Sequence, residues 1–361
     1  MAKTKLIFVG GFLGAGKTSL LYEVSRRLVS KGTNMALITN DQAPDLVDTS
    51  LLEHAGLDVS EVSGSCFCCD FKALRRAIDK AGANMKKDLI LAEPVGSCTD
   101  LNATLIKPIQ KLMNEDVSTG PLTVLADPGR VKHILNGDAS GIHPSAAYII
   151  RKQLEESEII AITKSDIYPP EEILSLSGML KLKYPECKIM TISSKSGEGI
   201  DDWIAYVLNN ESSGNHVLDL DYDMYAEGEA VLGWLNCSVY LSGEAIDWDA
   251  FTHSFMNDLA SRFDSMNLHV GHVKMMLERG DQYISANLTG KADTLNFRWS
   301  AGVSDNSVMI LNARVEMSPG DLEKLVFEIL NANASDKISV TVKRMNSISP
   351  GYPKPTYRFG R

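Results

Sequence analysis

The 361-residue chain lacks any uninterrupted apolar run approaching the roughly 20 residues of a membrane helix, so a bilayer-spanning role is not expected. Its opening, MAKTKLIFVGGF, is basic but soon broken by glycines and Lys17, which does not suit a secretory signal and reads instead as the first β-strand of a cytoplasmic protein. Positive charge is not in excess: 36 Lys and Arg against 46 Asp and Glu leave a net −10 with the signs interspersed, which argues against a nucleic-acid partner. The exception is the closing stretch, where Lys337, Lys343, Arg344, Lys354, Arg358 and Arg361 follow Asp336 and read as a solvated basic tail. Histidine forms no metal-storage run, and His269 and His272 are spaced so that a strand would not put both on one face. Cysteine is scarce, six in all, and in a reducing compartment these are thiols or metal ligands rather than a disulfide framework. Cys187 and Cys237 sit in apolar strand-like contexts and read as core. The other pattern is different: GSCFCCDF, residues 64 to 71, packs Cys66, Cys68 and Cys69 into four positions.

What is present begins with LIFVGGFLGAGKTSLLYEVSRRLV, an apolar strand, a phosphate loop from Gly11 to Thr18, and an amphipathic helix pattern. In that context Gly11, Gly14, Ala15, Gly16, Lys17, Thr18 and Ser19 form a nucleotide-binding loop. The glycines let backbone N–H groups turn inward, the helix N-terminus favours anions, Lys17 reaches the β/γ-phosphates, and Thr18 can hold Mg²⁺. Apolar runs follow at MALITND (35 to 41), DLILAEPVG (88 to 96), LTVLAD (122 to 127), EIIAITKSD (158 to 166) and KIMTISS (188 to 194). Such strands, separated by helical patterns, predict an α/β fold with a mostly parallel sheet covered on both faces. Ligands bind beyond the carboxyl ends of such strands, so Asp41, Glu93, Asp127, Asp166 and Ser193 are expected around the loop. Asp41 and Glu93 are the carboxylates best placed for the Mg²⁺ shell and for orienting water. With Lys17 they form the expected catalytic set for a phosphoryl transfer that needs little covalent chemistry from the protein.

The order of these motifs resembles the CobW-type family of P-loop metal-handling GTPases, relatives of the hydrogenase and urease maturation GTPases, over essentially the whole chain. The resemblance makes Glu93-Pro94-Val95-Gly96 the E-x-x-G of the Walker B and switch II region and Thr163-Lys164-Ser165-Asp166 the counterpart of N-K-x-D. It likewise makes Ser193, Ser194 and Lys195 the loop that presents backbone to guanine. Chemistry agrees on guanine, because a carboxylate at Asp166 accepts from N1–H and the exocyclic amine, whereas adenine N1 would oppose it with a lone pair. An ordinary helix cap is the alternative reading of TKSD. The implied activity is GTP hydrolysis to GDP and phosphate, slow without a partner or a bound metal, since no arginine in the sequence is identifiable as a finger.

The same family carries G-C-x-C-C downstream of a glutamate. Glu61 through Cys69 keeps that spacing, with Ser65 in place of the glycine before the first cysteine. Thiolates are soft ligands suited to a transition metal, Zn²⁺ or Co²⁺ first, provided the turn lets them converge. Cys98, two residues beyond Gly96, is a candidate fourth ligand, with a small buried residue as the alternative. ITNDQAPDLVDT resembles the T-N-D switch of the hydrogenase and urease GTPases.

The resulting layout is a GTPase domain with the CxCC motif (1–211), a linker (212–229), a smaller α+β domain similar to the CobW C-terminal domain (230–346) and a basic flexible tail (347–361). Three functions fit it. The first is a metallochaperone that hydrolyses GTP and delivers metal to a client metalloprotein or cofactor enzyme. The second is a GTPase switch that protects or reactivates a corrinoid or other cofactor enzyme, with structural cysteines. The third is a metal or redox sensor with little turnover. No membrane partner is expected, and a homodimer stays open.

Overall fold

Strand β1 (Thr4–Gly10) is apolar at almost every position, and Leu6, Ile7, Phe8 and Val9 are fully buried, which requires cover on both faces. It lies inside a parallel sheet with β2 (Met35–Asp41), β3 (Val59–Ser63), β4 (Leu89–Glu93), β5 (Val117–Thr119), β6 (Thr123–Ala126), β7 (Ile159–Ile162) and β8 (Lys188–Thr191). The strand order is β3-β2-β4-β1-β6-β7-β8, with β5 also paired to β1. Every pairing is parallel, so all strands end at one edge of the sheet. This computed structural model describes residues 3–83, 85–137, 143–290 and 294–360.

The chain divides into two units: residues 1–42, 55–226 and 352–361 in the first, 43–54 and 227–351 in the second. The second is a six-stranded antiparallel sheet, β9 (Gly233–Asp247), β10 (Val270–Arg279), β11 (Gln282–Leu288), β12 (Asn296–Ser300), β13 (Val303–Val315) and β14 (Ser339–Ile348), in the order β12-β11-β10-β13-β9-β14. Helices Trp248–Ser265 and Pro319–Ala334 close its core through Phe255, Leu259, Phe263, Leu322, Val326 and Leu330. The expected α/β domain and smaller α+β domain are both present.

Three segments differ from the sequence-based layout. Residues 43–54, expected in the first domain, pack in the second unit: Val47 joins Met276 and Ile310 in a small apolar cluster, and Lys274 bonds Asp48. Asn236 and Asn312 from the middle of the sheet hold the backbone of residues 43 to 47. Within the expected linker, Tyr222–Ala230 is helical, and Ser212 and Ser213 bond Glu158 in the first unit. The basic stretch is not a free tail: Lys343 and Arg344 lie on β14 and Lys337 stands two residues before it, while residues from Tyr352 onward return to the first unit. Prolines 353 and 355 keep that segment extended, and its polar groups find partners there. Arg361 lies outside the described residues.

Candidate nucleotide and thiol site

At the end of β1, Gly11, Gly14 and Gly16 adopt φ of 128°, 76° and 99°, a left-handed course that side chains resist. A Cβ on Gly11 would meet the Leu125 carbonyl at 2.7 Å. The loop then enters helix Lys17–Ser30, with Lys17 and Thr18 buried in its first turn. Lys17 Nζ donates to the Gly11 carbonyl at 3.0 Å and stands 3.8 Å from Glu93. Thr18 Oγ1 donates to the Glu93 carboxylate at 3.2 Å. Glu93 pairs in register with Thr39 on the neighbouring strand, two residues before Asp41. Thr18, Glu93 and Asp41 thus supply oxygen donors of the kind Mg²⁺ takes. Gly96 comes equally close: a Cβ there would lie 2.7 Å from Leu13 and 3.0 Å from Lys17 Nζ. Any side chain at 96 would crowd the lysine.

The predicted guanine residues also converge. Ser193 Oγ donates to Asp166 at 2.7 Å and accepts from the Lys195 and Ser196 amides, which fixes the carboxylate beside a backbone turn. Thr163 is buried with its amide on the Ala126 carbonyl, and Lys164, at φ 58°, reaches Asp127 at 2.6 Å. Asp127 therefore serves as a partner for Lys164 and an N-cap for helix Pro128–Leu135. Burial would raise its pKa, but Lys164 and Arg130 outweigh that and hold it below the ordinary value. Ser194 sits in the same turn.

The cysteines lie between β3 and helix Phe71–Ala81. Gly64, at φ 91°, makes the turn one residue earlier than the family glycine that Ser65 replaces. The Cys69 and Asp70 amides both donate to the Cys66 carbonyl, so Cys68 and Cys69, which a regular element would point apart, turn to one side. Sγ of Cys66 and Cys68 are 3.0 Å apart, Cys68 and Cys69 are 3.9 Å apart, and all three lie within 4.8 Å of one another. A tetrahedral ion with bonds of about 2.3 Å to sulfur needs S···S edges of about 3.8 Å, so Cys68 and Cys69 already stand at that spacing and Cys66 would open from Cys68 by about 0.8 Å to receive one. Cys98 is buried, and its side chain hydrogen-bonds with those of Cys66 and Cys68. Hydrogen bonds from Cys68, Cys69 and Cys98 hold the Cys66 thiol well below its usual pKa. The same interaction with Cys66 raises Cys68 and pushes Cys69 up to about 11. Within the cluster Cys66 is thus the thiol that ionises first, with its neighbours as donors. Among the described residues it is the one His, Cys, Asp or Glu group with metal-binding geometry; His269 instead pairs with Glu316.

Of four residues that tie these parts together, three carried no sequence signal and the fourth, Asn40, stood in the T-N-D stretch without its role being legible. Asn40, next to Asp41, donates from Nδ2 to the Val62 and Ser65 carbonyls and accepts from the Phe67 amide, so one side chain on β2 holds the cysteine loop. Arg130 donates to the Leu13 carbonyl in the phosphate loop at 2.6 Å. Gln153 donates to the Gly96 and Cys98 carbonyls. Glu156 accepts from Thr99 Oγ1 and the Asn102 amide.

Burial, and secondarily Asp100, pushes the Glu156 carboxyl up to about 8. The folded chain therefore keeps Glu156 protonated where the unfolded chain ionises it. Its stabilising contribution is full below the ordinary value of 4.5 and is lost as pH rises towards 8, at up to about 1.4 kcal/mol per unit. Glu156→Gln should flatten that part of the pH dependence, read as urea midpoints at pH 5 and 8. A wild-type decline that the variant fully retains would place its source elsewhere.

No described helix is long and apolar enough to cross a membrane. Among solved structures, hydrogenase maturation factor HypB from Archaeoglobus fulgidus is similar over 57% of this chain and 91% of its own, at 18% identity and a TM-score of 0.41. Zn(II)-bound YjiA GTPase from E. coli is similar over 91% of this chain and 99% of its own, at 15% identity and a TM-score of 0.40. A curated Dictyostelium discoideum protein, Zinc-regulated GTPase metalloprotein activator 1, is 21% identical over 217 residues, which cover 52% of this chain. They cover 45% of that relative, so the chain spans under half its length. The model of the CobW/HypB/UreG nucleotide-binding domain matches residues 5–189, just over half the chain and inclusive of the phosphate loop, the E-x-x-G, the TKSD and the cysteine triplet. The chain belongs to the CobW/HypB/UreG family of GTPases.

Proposed function

We propose that this protein is a GTP-hydrolysing metallochaperone: it carries one transition-metal ion on Cys66, Cys68 and Cys69, with Cys98 as a fourth thiolate, and nucleotide state sets how tightly the ion is held. The observation that carries this reading is Asn40. It adjoins Asp41 on one strand and bonds both sides of the cysteine loop, while Cys98 follows Gly96 in the loop after another. The thiols are thus bracketed by the two strand ends whose carboxylates face Mg²⁺ and the γ-phosphate. A displacement of either strand end by a few tenths of an ångström is large on the scale of metal–thiolate distances. Thr163, Lys164, Asp166 and Ser193 to Lys195 select GTP over ATP, and Lys17, Asp41 and Glu93 perform the hydrolysis. Zinc is the favoured cargo, in keeping with soft ligands and with the name of the Dictyostelium relative; cobalt is the next choice. The recipient is a client metalloprotein or cofactor enzyme.

The test is an anaerobic titration with Zn²⁺ or Co²⁺ in the presence of GDP and of a non-hydrolysable GTP analogue. One ion per chain is expected, with affinities at least tenfold apart, a coupling of about 1.4 kcal/mol. By linkage the metal must change the affinity for the GTP analogue, relative to GDP, by the same factor. Equal affinities would reject the chaperone mechanism. If a client then stimulated hydrolysis, the cofactor-protecting switch would take its place.

A further inference from the structure

Residues 352–360 run back across the cysteine loop as an extended segment with a partner at nearly every polar position. The Lys354 amide donates to Cys69 Sγ at 3.3 Å. The Thr356 amide donates to the Cys68 carbonyl at 2.7 Å, and its hydroxyl donates to the Cys69 carbonyl at 2.9 Å. The Tyr357 ring packs edge-on against Phe71, the first residue of the helix that follows the cysteines.

The same segment then grips the stretch that follows Cys98. Arg358 Nε donates to Asp100 at 2.7 Å and a terminal nitrogen donates to the Leu218 carbonyl. Asp100 is buried and left-handed, at φ 67°, and also accepts from Tyr222. One step further, Asn102–Ile106 forms a π-helical turn in which Lys107 donates to the Asn102 carbonyl. In that register the donor to the Ala103 carbonyl would be residue 108, which is a proline and has none. The Phe359 amide donates to Ala103 at 2.9 Å and supplies what the helix cannot. A buried carbonyl left unpaired is costly, so the π-turn is built to receive this strand.

We infer that residues 352–360 are part of the thiol site: a strap whose Lys354 N–H supports the Cys69 thiolate and whose contacts with Cys68, Asp100 and Ala103 set metal affinity. The inference rests on the metal-binding reading above. Amides that donate to a metal-bound sulfur disperse its charge and fix its direction, and loss of such an outer-shell partner commonly costs about 10- to 100-fold in metal affinity. Lys354 is a positioning residue here and acts through its backbone, so the strap can loosen the ion without touching the nucleotide.

The test compares Lys354→Pro, which removes the N–H donor together with the side chain and fixes φ, with Lys354→Ala, which loses the side chain but keeps the donor. Both would be titrated with Co²⁺ and Zn²⁺ in the full chain, and the sulfur-to-Co²⁺ charge-transfer band recorded. The expected result is a loss of about 10- to 100-fold and a shifted band in the proline variant, with affinity and band recovered in the alanine variant. Arg358→Ala frees the strap's far anchor without altering the backbone. It should weaken metal binding as well, which decides the matter if the proline variant melts early. Sulfur-ligated metal bound equally well by wild type, Lys354→Pro and Arg358→Ala would overturn the strap's role and leave the metallochaperone reading standing. A wild-type chain that binds no sulfur-ligated metal would overturn both.

Discussion

Lys17→Ala should lower GTP affinity at least about a hundredfold, roughly 3 kcal/mol, and abolish measurable turnover while the fold persists. The Lys17 ammonium is held in the first turn of the helix by the Gly11 carbonyl and by Glu93. What the substitution removes is a buried point charge aimed into a loop whose other anion donors are backbone amides. Those amides carry part of the phosphate binding but cannot follow charge as it develops during transfer, so turnover should fall further than affinity. Nucleotide titration, phosphate release and a circular-dichroism spectrum check the three parts. Retained GTPase activity would remove the phosphate-loop assignment, whatever the likeness in sequence.

Changing Cys68 and Cys69 together to serine should reduce bound metal from one ion to none at micromolar concentrations. A thiol-ligated zinc site in a small protein carries about 10 to 16 kcal/mol in all, so loss of two sulfurs costs several powers of ten in affinity. The melting temperature of the metal-free variant should match that of the metal-free wild type. The loop keeps its backbone bonds to Asn40, and Phe67 stays packed against Phe8. A variant that fails to fold would instead mark the ion as a permanent structural staple. Atomic absorption and a melting curve separate the two outcomes.

The sequence made the strand frame legible because most of these strands are buried on both faces and read as continuous apolar runs; β8, half exposed at the sheet edge, is the exception. MALITND is β2 residue for residue, and the runs at 88, 122, 158 and 188 each contain their strand. Strand β3 escaped because VSEVS lies at the sheet edge, half exposed, with only two apolar residues three positions apart. The phosphate loop and the cysteines were readable because short spacing alone brings their chemistry together, and Glu93 and Asp166 because each stands in a four-residue motif at the end of an apolar run. Arg130, Gln153 and Glu156 were not, and of Asn40 only its place in the T-N-D stretch was. The role of each depends on a partner 22 or more positions away, which no local pattern reveals. Residues 43–54 misled for a related reason. An eight-residue amphipathic helix, Val47–His54, shows that it has an apolar face but not which sheet that face covers.

The strap has a consequence for the order in which the chain is made. Cys69 and Lys354 are 285 positions apart, so a ribosome adding roughly 5 to 20 residues per second completes the cysteine triplet about 15 to 60 s before the amide that covers it is synthesised. During that interval the phosphate loop and the parallel sheet can form, yet the thiols lack their cover and the Ala103 carbonyl lacks its donor. The nascent protein therefore passes through a state in which its sulfur is at its most accessible, to metal and to oxidant alike. Synthesis of residues 352–360 ends that interval by supplying the Lys354 and Phe359 amides.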